Sequence, residues 1–169
     1  MKRFRAAVFL AALLATTSAA SRAAEPTTEV LTYHADAARS GNFVIPDLTL
    51  DRARGIHPDS GFRAQIDGHV YAQPLFWRGS GGAGLVLIPT ESNVVYALDA
   101  ASGKTVWRQA LGRPVPRAAL PCGNIDPLGI TGTPAIDARE QALYLDAMVQ
   151  GPDGPTHRLF GLSLRDGLV

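Results

Sequence analysis

The sequence predicts an all-β protein made of short antiparallel strands grouped into repeated sheets. Three observations carry that prediction. Short apolar runs rich in β-branched and aromatic residues recur between clusters of turn-forming residues. The 169 residues include 17 glycines and 12 prolines, a density that suits many strands joined by turns and does not suit a helical bundle. The order of runs between residues 73 and 103 returns between residues 133 and 167.

The clearest unit is Val94–Trp107, VVYALDAASGKTVW. Val94 to Leu98 are apolar without a break, which reads as a strand buried on both faces. Asp99 opens a turn whose backbone N–H groups its carboxylate can accept from, and Gly103 can take a positive φ without a Cβ clash. Trp107 then falls in the next antiparallel strand.

Residues 1–24 have the layout of a secretory signal peptide. Lys2, Arg3 and Arg5 form a basic start, Ala6 to Ala15 an apolar stretch, and small residues offer cleavage after Ala20 or Ala23. An apolar stretch that short does not reach the roughly 20 residues needed to cross a bilayer. The expected product is exported, periplasmic or secreted, with no integral membrane span after cleavage. Outside this segment the chain has 12 Lys and Arg against 15 Asp and Glu, a formal charge of −3. That balance supplies no electrostatic reason for nucleic-acid binding. Cys122 is the single cysteine, so the chain cannot close an internal disulfide.

Taken in order, residues 25–61 read as an N-terminal lead-in with an aromatic start and a polar turn, LTYHADAARSG, then an irregular crossing rich in Pro and Gly. Residues 62–112 read as a first unit. Phe62 to Ile66 is a predicted strand, Asp67-Gly68 a hairpin signal, and Val70 to Trp77 a strand with Pro74 at a bulge or an unpaired N–H. Leu85 to Ile88, Val94 to Leu98 and Thr105 to Leu111 complete the unit. Residues 113–132 form a long connecting loop, of a length that is often functional. Within it Cys122, Asn124 and Asp126 are the candidate functional residues. Residues 133–169 read as a second unit that stops before its last strand, as in the N-terminal piece of a longer protein.

The repeat carries the architecture. Thr133-Pro134-Ala135-Ile136 matches Gln73-Pro74-Leu75-Phe76, Leu143-Tyr144-Leu145 matches Leu85-Val86-Leu87, and Leu159–Gly167 matches Val95–Gly103, at offsets of 60, 58 and 64 residues. A period near 60 with four strand-like runs per unit is that of a β-propeller blade. Two departures stand out. Ser163 replaces Asp99, and an insertion-like turn, GPDGPTH, precedes the final run.

The pattern Ala97-x-Asp99-x-x-x-Gly103-Lys104-x-x-Trp107 resembles the tryptophan-docking motif of PQQ-like, quinoprotein-type β-propellers. Tyr33, Asp36, Arg39 and Gly41 are similar to the opening of the same family. The resemblance covers about residues 30–169 and implies antiparallel four-stranded blades, about two of them present. It makes Ala97, Asp99, Gly103 and Trp107 blade-docking structure. It implies a non-catalytic binding or assembly scaffold that needs no cofactor and whose protein partner or small ligand the sequence does not name. The alternative it implies is a PQQ- and calcium-dependent dehydrogenase of alcohols or sugars, with its active-site residues mostly beyond residue 169. In such enzymes two adjacent cysteines form a disulfide in an early loop, whereas Cys122 is followed by Gly123.

Other chemistry finds no pattern. Gly103-Lys104-Thr105 lacks the earlier glycine of a phosphate loop, because Leu98 stands there. The glycines at 79–84 precede no helix, so they make no dinucleotide fingerprint. His34 and Asp36 lack a third ligand. His34, His57, His69 and His157 read as solvated turn residues, and Asp126, Asp137 and Asp146 as unpaired. No residue is assigned a catalytic role.

Overall fold

The structure, a computed structural model, describes residues 29–79 and 84–169. The signal-like segment 1–24 and most of the glycine stretch 79–84 lie outside the described residues. Among the described residues, seven strands form two antiparallel sheets. The first sheet orders β1 (Leu75–Trp77), β2 (Leu85–Pro89), β3 (Val94–Asp99) and β4 (Thr105–Ala110) side by side. The second orders β5 (Ala135–Asp137), β6 (Ala142–Gly151) and β7 (Gly154–Ser163). Helix is confined, among the described residues, to one short turn at Leu50–Arg54 and a 3-10 turn at Arg117–Ala119.

The continuous apolar run makes β3 the centre of the first sheet, and its two faces meet different partners. Val95 and Ala97 join Leu75, Leu87 and Trp107 in a core shared with Leu143, Leu145, Ala147 and Leu162 of the second sheet. Val94, Tyr96 and Leu98 join Ile88 on the other face, where Phe62 and Ile66 cover them. Burying a leucine such as Leu87 or Leu143 fully contributes about 1.5–3 kcal/mol, so the shared core holds the sheets together. Val30 ties the edge of both: it exchanges backbone hydrogen bonds with Phe76, while Leu31 accepts one from Ile136 N–H at 2.7 Å.

Several sequence expectations need correction. Phe62–Ile66 lies outside both ladders, because its apolar side chains seat on the far face of β3 and its backbone follows a turn. Asp67-Gly68 is not a hairpin. Gly68 has φ +92 and lies so close to Ser92 that a Cβ would stand 2.4 Å from its hydroxyl. The strand read at Val70–Trp77 begins at Leu75, directly after Pro74, whose missing N–H cannot enter the ladder. The GPDGPTH stretch is extra length relative to the first unit, taken up as a longer hairpin: Val86 and its partner Leu98 are 12 residues apart, Leu143 and its partner Leu162 are 19. Gly151 pairs with Gly154 across a tight turn, and β6 and β7 run as one long hairpin.

Register corrects the middle of the repeat. Val86 faces Leu98 in the first sheet and Leu143 faces Leu162 in the second. With Gly103 and Gly167 equivalent, Leu143 matches Val86, not Leu85. A one-residue slip matters because it turns every side chain of a strand to the opposite face.

Candidate functional site

The turn that opens at Asp99 is built as the sequence predicts. Asp99 Oδ1 accepts from the Ser102 backbone N–H at 2.8 Å and from its hydroxyl at 2.6 Å. Gly103, at φ +73, returns its N–H to Asp99 O at 2.8 Å. These bonds, the Ser102 hydroxyl first, hold the Asp99 carboxyl below its ordinary range. Ala97 faces Trp107 across β3 and β4. The indole of Trp107 is 8% exposed and lies against Gly167, and its Nε1–H donates to Leu164 O at 3.0 Å.

The second turn repeats the first with its polar residues exchanged. Gly167 N–H donates to Ser163 O at 2.8 Å, and Ser163 N–H to Leu168 O at 2.8 Å. The corresponding bonds of the first turn are Gly103 N–H to Asp99 O and Asp99 N–H to Lys104 O. Ser163 stands where Asp99 stood, and Asp166 stands where Ser102 stood. The Ser163 hydroxyl is the main cause of the lowered Asp166 carboxyl pKa. The carboxylate and the hydroxyl thus exchange positions between the two turns; in the second, Ser163 Oγ accepts from Arg165 N–H at 3.3 Å and Asp166 Oδ1 from Leu168 N–H at 3.2 Å.

The candidate loop residues do not converge. Asp126 Oδ1 accepts from Arg117 N–H at 2.9 Å, and the Arg117 side chain donates to the carbonyls of Gly123 and Leu120. The loop is thus closed on Arg117, with Val115 and Leu128 paired across its base. Cys122 and Asn124 are exposed on its outside. Among the described residues, no three His, Cys, Asp or Glu side chains gather as a metal would require. Cys122, Asn124 and Asp126 form no shared ligand set.

Sequence reasoning missed a buried polar turn between β2 and β3. Thr90, Glu91 and Asn93 are fully buried. Glu91 Oε2 accepts from Gly129 N–H at 2.6 Å, and Glu91 N–H donates to His69 O at 2.9 Å. Asn93, at φ 55, donates from Nδ2 to Met148 O at 2.8 Å. Gly129 approaches so closely that a Cβ would stand 2.2 Å from Glu91 O. The turn thereby ties β2, β3, the long loop and β6 together. A Glu between two apolar runs was the available signal, since an acidic residue there must find donors if the turn is buried.

The reading of His157 and Asp146 also changes. His157 lies in β7, and its Nδ1 is 2.7 Å from Asp146 Oδ2 on β6. His157 is therefore a strand residue and Asp146 has a partner. In the N-terminal turn Asp36 accepts from the Ser40 hydroxyl and backbone N–H, which hold its carboxyl low. His34 Nδ1 faces Arg39 O instead, so His34 and Asp36 do not aim at a shared ligand.

Comparison with family models of known proteins gives no match, and comparison with curated protein sequences gives none. Among the described residues, no helix is long and apolar enough to cross a membrane.

Proposed function

We propose that this chain is part of an exported PQQ-like β-propeller protein and serves as a non-catalytic binding or assembly scaffold. The observation that supports the reading is the contact between repeats: Trp107 of the first sheet lies over Gly167 of the second and donates to Leu164 O. A ring placed on the matching turn of the next sheet is how a blade-docking motif works. The polar side chains at both turns are used up in holding the turns, which leaves Asp99, Ser102, Ser163 and Asp166 with structural work.

Adding PQQ and calcium to the whole protein and following dye reduction with alcohols and sugars tests the reading. No turnover is the expected result, and sustained turnover overturns it in favour of a quinoprotein dehydrogenase. Export is tested separately by the mass of the protein recovered outside the cytoplasm. The expected chain starts after Ala20 or Ala23, and a chain that retains Lys2 and Arg5 overturns export with cleavage.

A further inference from the structure

The ladder between β3 and β4 breaks once, and the break re-aims side chains. Ala97 faces Trp107 but Leu98 faces Thr105, so Val106 is an extra residue on β4. A bulge of this kind bends a strand and changes which side chains share a face. Tyr96 faces Arg108. The bulge therefore brings Thr105 onto the face that carries Arg108, Tyr96 and Leu98, where an unbroken ladder puts Val106. Phe62 and Ile66 pack on the same face. A groove of about 630 Å³ is left between them and β4, with Gln65, Ile66 and Asp67 along one wall, Thr105 and Arg108 along the other, and Tyr96 at its floor. The groove continues past Gln65 and Thr105 to Arg63 and Lys104.

The floor is held from two sides. The Tyr96 hydroxyl accepts from Asp67 N–H at 3.2 Å, and the Arg108 guanidinium carbon stands 5.6 Å from the centre of the Tyr96 ring. A guanidinium laid on an aromatic ring gains cation–π attraction and presents its planar fork in a preorganised way. Arg63, Lys104 and Arg108 line the groove and its continuation, against Asp67 as the only carboxylate of the lining. Among the described residues none of these three cations is ion-paired. The concentration is local, since the chain outside its signal-like segment carries 12 Lys and Arg against 15 Asp and Glu. The Thr105 hydroxyl and the Gln65 amide add neutral donors. Both walls and the floor belong to residues 63–108, within the first unit.

We propose that this groove binds a small organic oxyanion, a carboxylate or a phosphate ester. The guanidinium fork matches either through paired N–H···O bonds. Arg108 takes the oxyanion, the Thr105 hydroxyl and Lys104 donate to its remaining oxygens, and the apolar body of the ligand lies along Ile66 and Tyr96. The volume falls in the range of small-molecule sites, about 300–1,000 Å³. The bulge at Val106 is what makes the site, because it sets a hydroxyl beside the guanidinium in place of a valine. The inference supplies a ligand class for the scaffold reading and rests on that reading only in expecting binding without turnover. The two fail separately. Quinone-dependent turnover overturns the scaffold reading and leaves the groove with its ligand, whereas absent oxyanion binding overturns this inference alone.

Titration of the full chain with benzoate, phenyl phosphate and uncharged benzyl alcohol, followed by amide NMR shifts, tests it. The expected result is saturable binding of benzoate or phenyl phosphate, with shifts centred on Gln65, Thr105 and Arg108. Benzyl alcohol should bind at least about tenfold more weakly, because it lacks the charge that the guanidinium recognises. Whichever of the two anions binds more tightly identifies the carboxylate or the phosphate ester as the ligand chemistry. Arg108→Gln should weaken binding at least about tenfold, and Arg158→Gln on β7 should leave it unchanged. Lys104→Gln and Thr105→Ala, at exposed positions, should each weaken it severalfold and keep the test open if Arg108→Gln does not fold. No saturable binding of either anion, equal binding of benzyl alcohol, or affinity indifferent to the groove variants overturns the proposal.

Discussion

The turns at Asp99–Lys104 and Ser163–Leu168 share a backbone and differ in everything laid upon it. Both end on a glycine at a positive φ, +73 and +74, and both close through the same pair of backbone hydrogen bonds. In one the carboxylate comes first and the hydroxyl fourth; in the other the order is reversed. One glycine lies under a tryptophan ring and the other under a stretch of main chain. The backbone conformation is thus the conserved requirement of the architecture within this chain, because it creates a Cβ-free platform. Either an indole or a peptide plane can sit on that platform. The inner turns of the two sheets differ more sharply. Between β2 and β3 the turn is buried and anchored by Glu91 and Asn93, whereas between β6 and β7 it is an exposed hairpin tip at Pro152–Asp153.

The largest test of this comparison is Trp107→Ala, which removes the cover from one turn only. Emptying a buried aromatic site of this kind costs about 3–5 kcal/mol, to be read from the urea midpoint at constant m-value. A shift of under about 1 kcal/mol, the worth of one ordinary hydrogen bond, would mean that the ring does not join the sheets.

The glycines come next. A Cβ at a left-handed position costs about 1–2 kcal/mol before any contact is considered, and here each would also meet its cover. Gly167→Ala should couple to Trp107→Ala, because the added methyl meets Trp107 Cε3 at 2.6 Å and has room once the ring is gone. Gly103→Ala should add to Trp107→Ala without coupling, since its clash is with Arg63. A double-mutant cycle in which both glycines behave alike would break the distinction between ring and backbone covers.

Glu91→Ala probes the buried inner turn. It leaves the Gly129 N–H without its acceptor, at a cost of about 1–3 kcal/mol, and hydrogen exchange at Gly129 and Met148 should accelerate. Substituting Asp153 at the exposed hairpin tip should leave the urea midpoint unchanged.

The smallest effects concern the swapped pairs. Both Asp99 and Asp166 have carboxyl pKa values lowered from 3.8 in the folded chain. A depressed folded pKa contributes stability that is complete above the unfolded value and is lost as pH falls through the folded one. Asp99→Asn and Asp166→Asn should therefore each flatten the fall in stability below about pH 4. Exchanging the pair in the first turn, Asp99→Ser with Ser102→Asp, should restore the unsubstituted acid profile that Asp99→Ser alone loses. Failure of that exchange would show that the order of the two residues matters after all.

Much of the fold was legible because its signals are local. Alternating turn clusters and apolar runs marked β2, β3 and β4 to within a residue or so, and the unbroken run Val94–Leu98 marked a strand covered on both sides. Phe62–Ile66 carried an equally good local signal and lies outside both ladders, since strand formation needs a neighbour that local sequence does not supply. The candidate loop was legible as a loop, but nothing in its sequence showed that Arg117 would close it on Gly123 and Leu120.

By itself the sequence determined the all-β class, the repeat, and the turn at Asp99–Gly103, because carboxylate acceptors and a Cβ-free residue act over a few bonds. Tertiary structure alone decided that Trp107 lies on Gly167, that Ser163 and Asp166 exchange roles with Asp99 and Ser102, and that Glu91 reaches Gly129. It also decided which residue of each strand faces the shared core. Each of these depends on contacts between segments distant in the chain, where a shift of one residue in register turns every side chain to the opposite face.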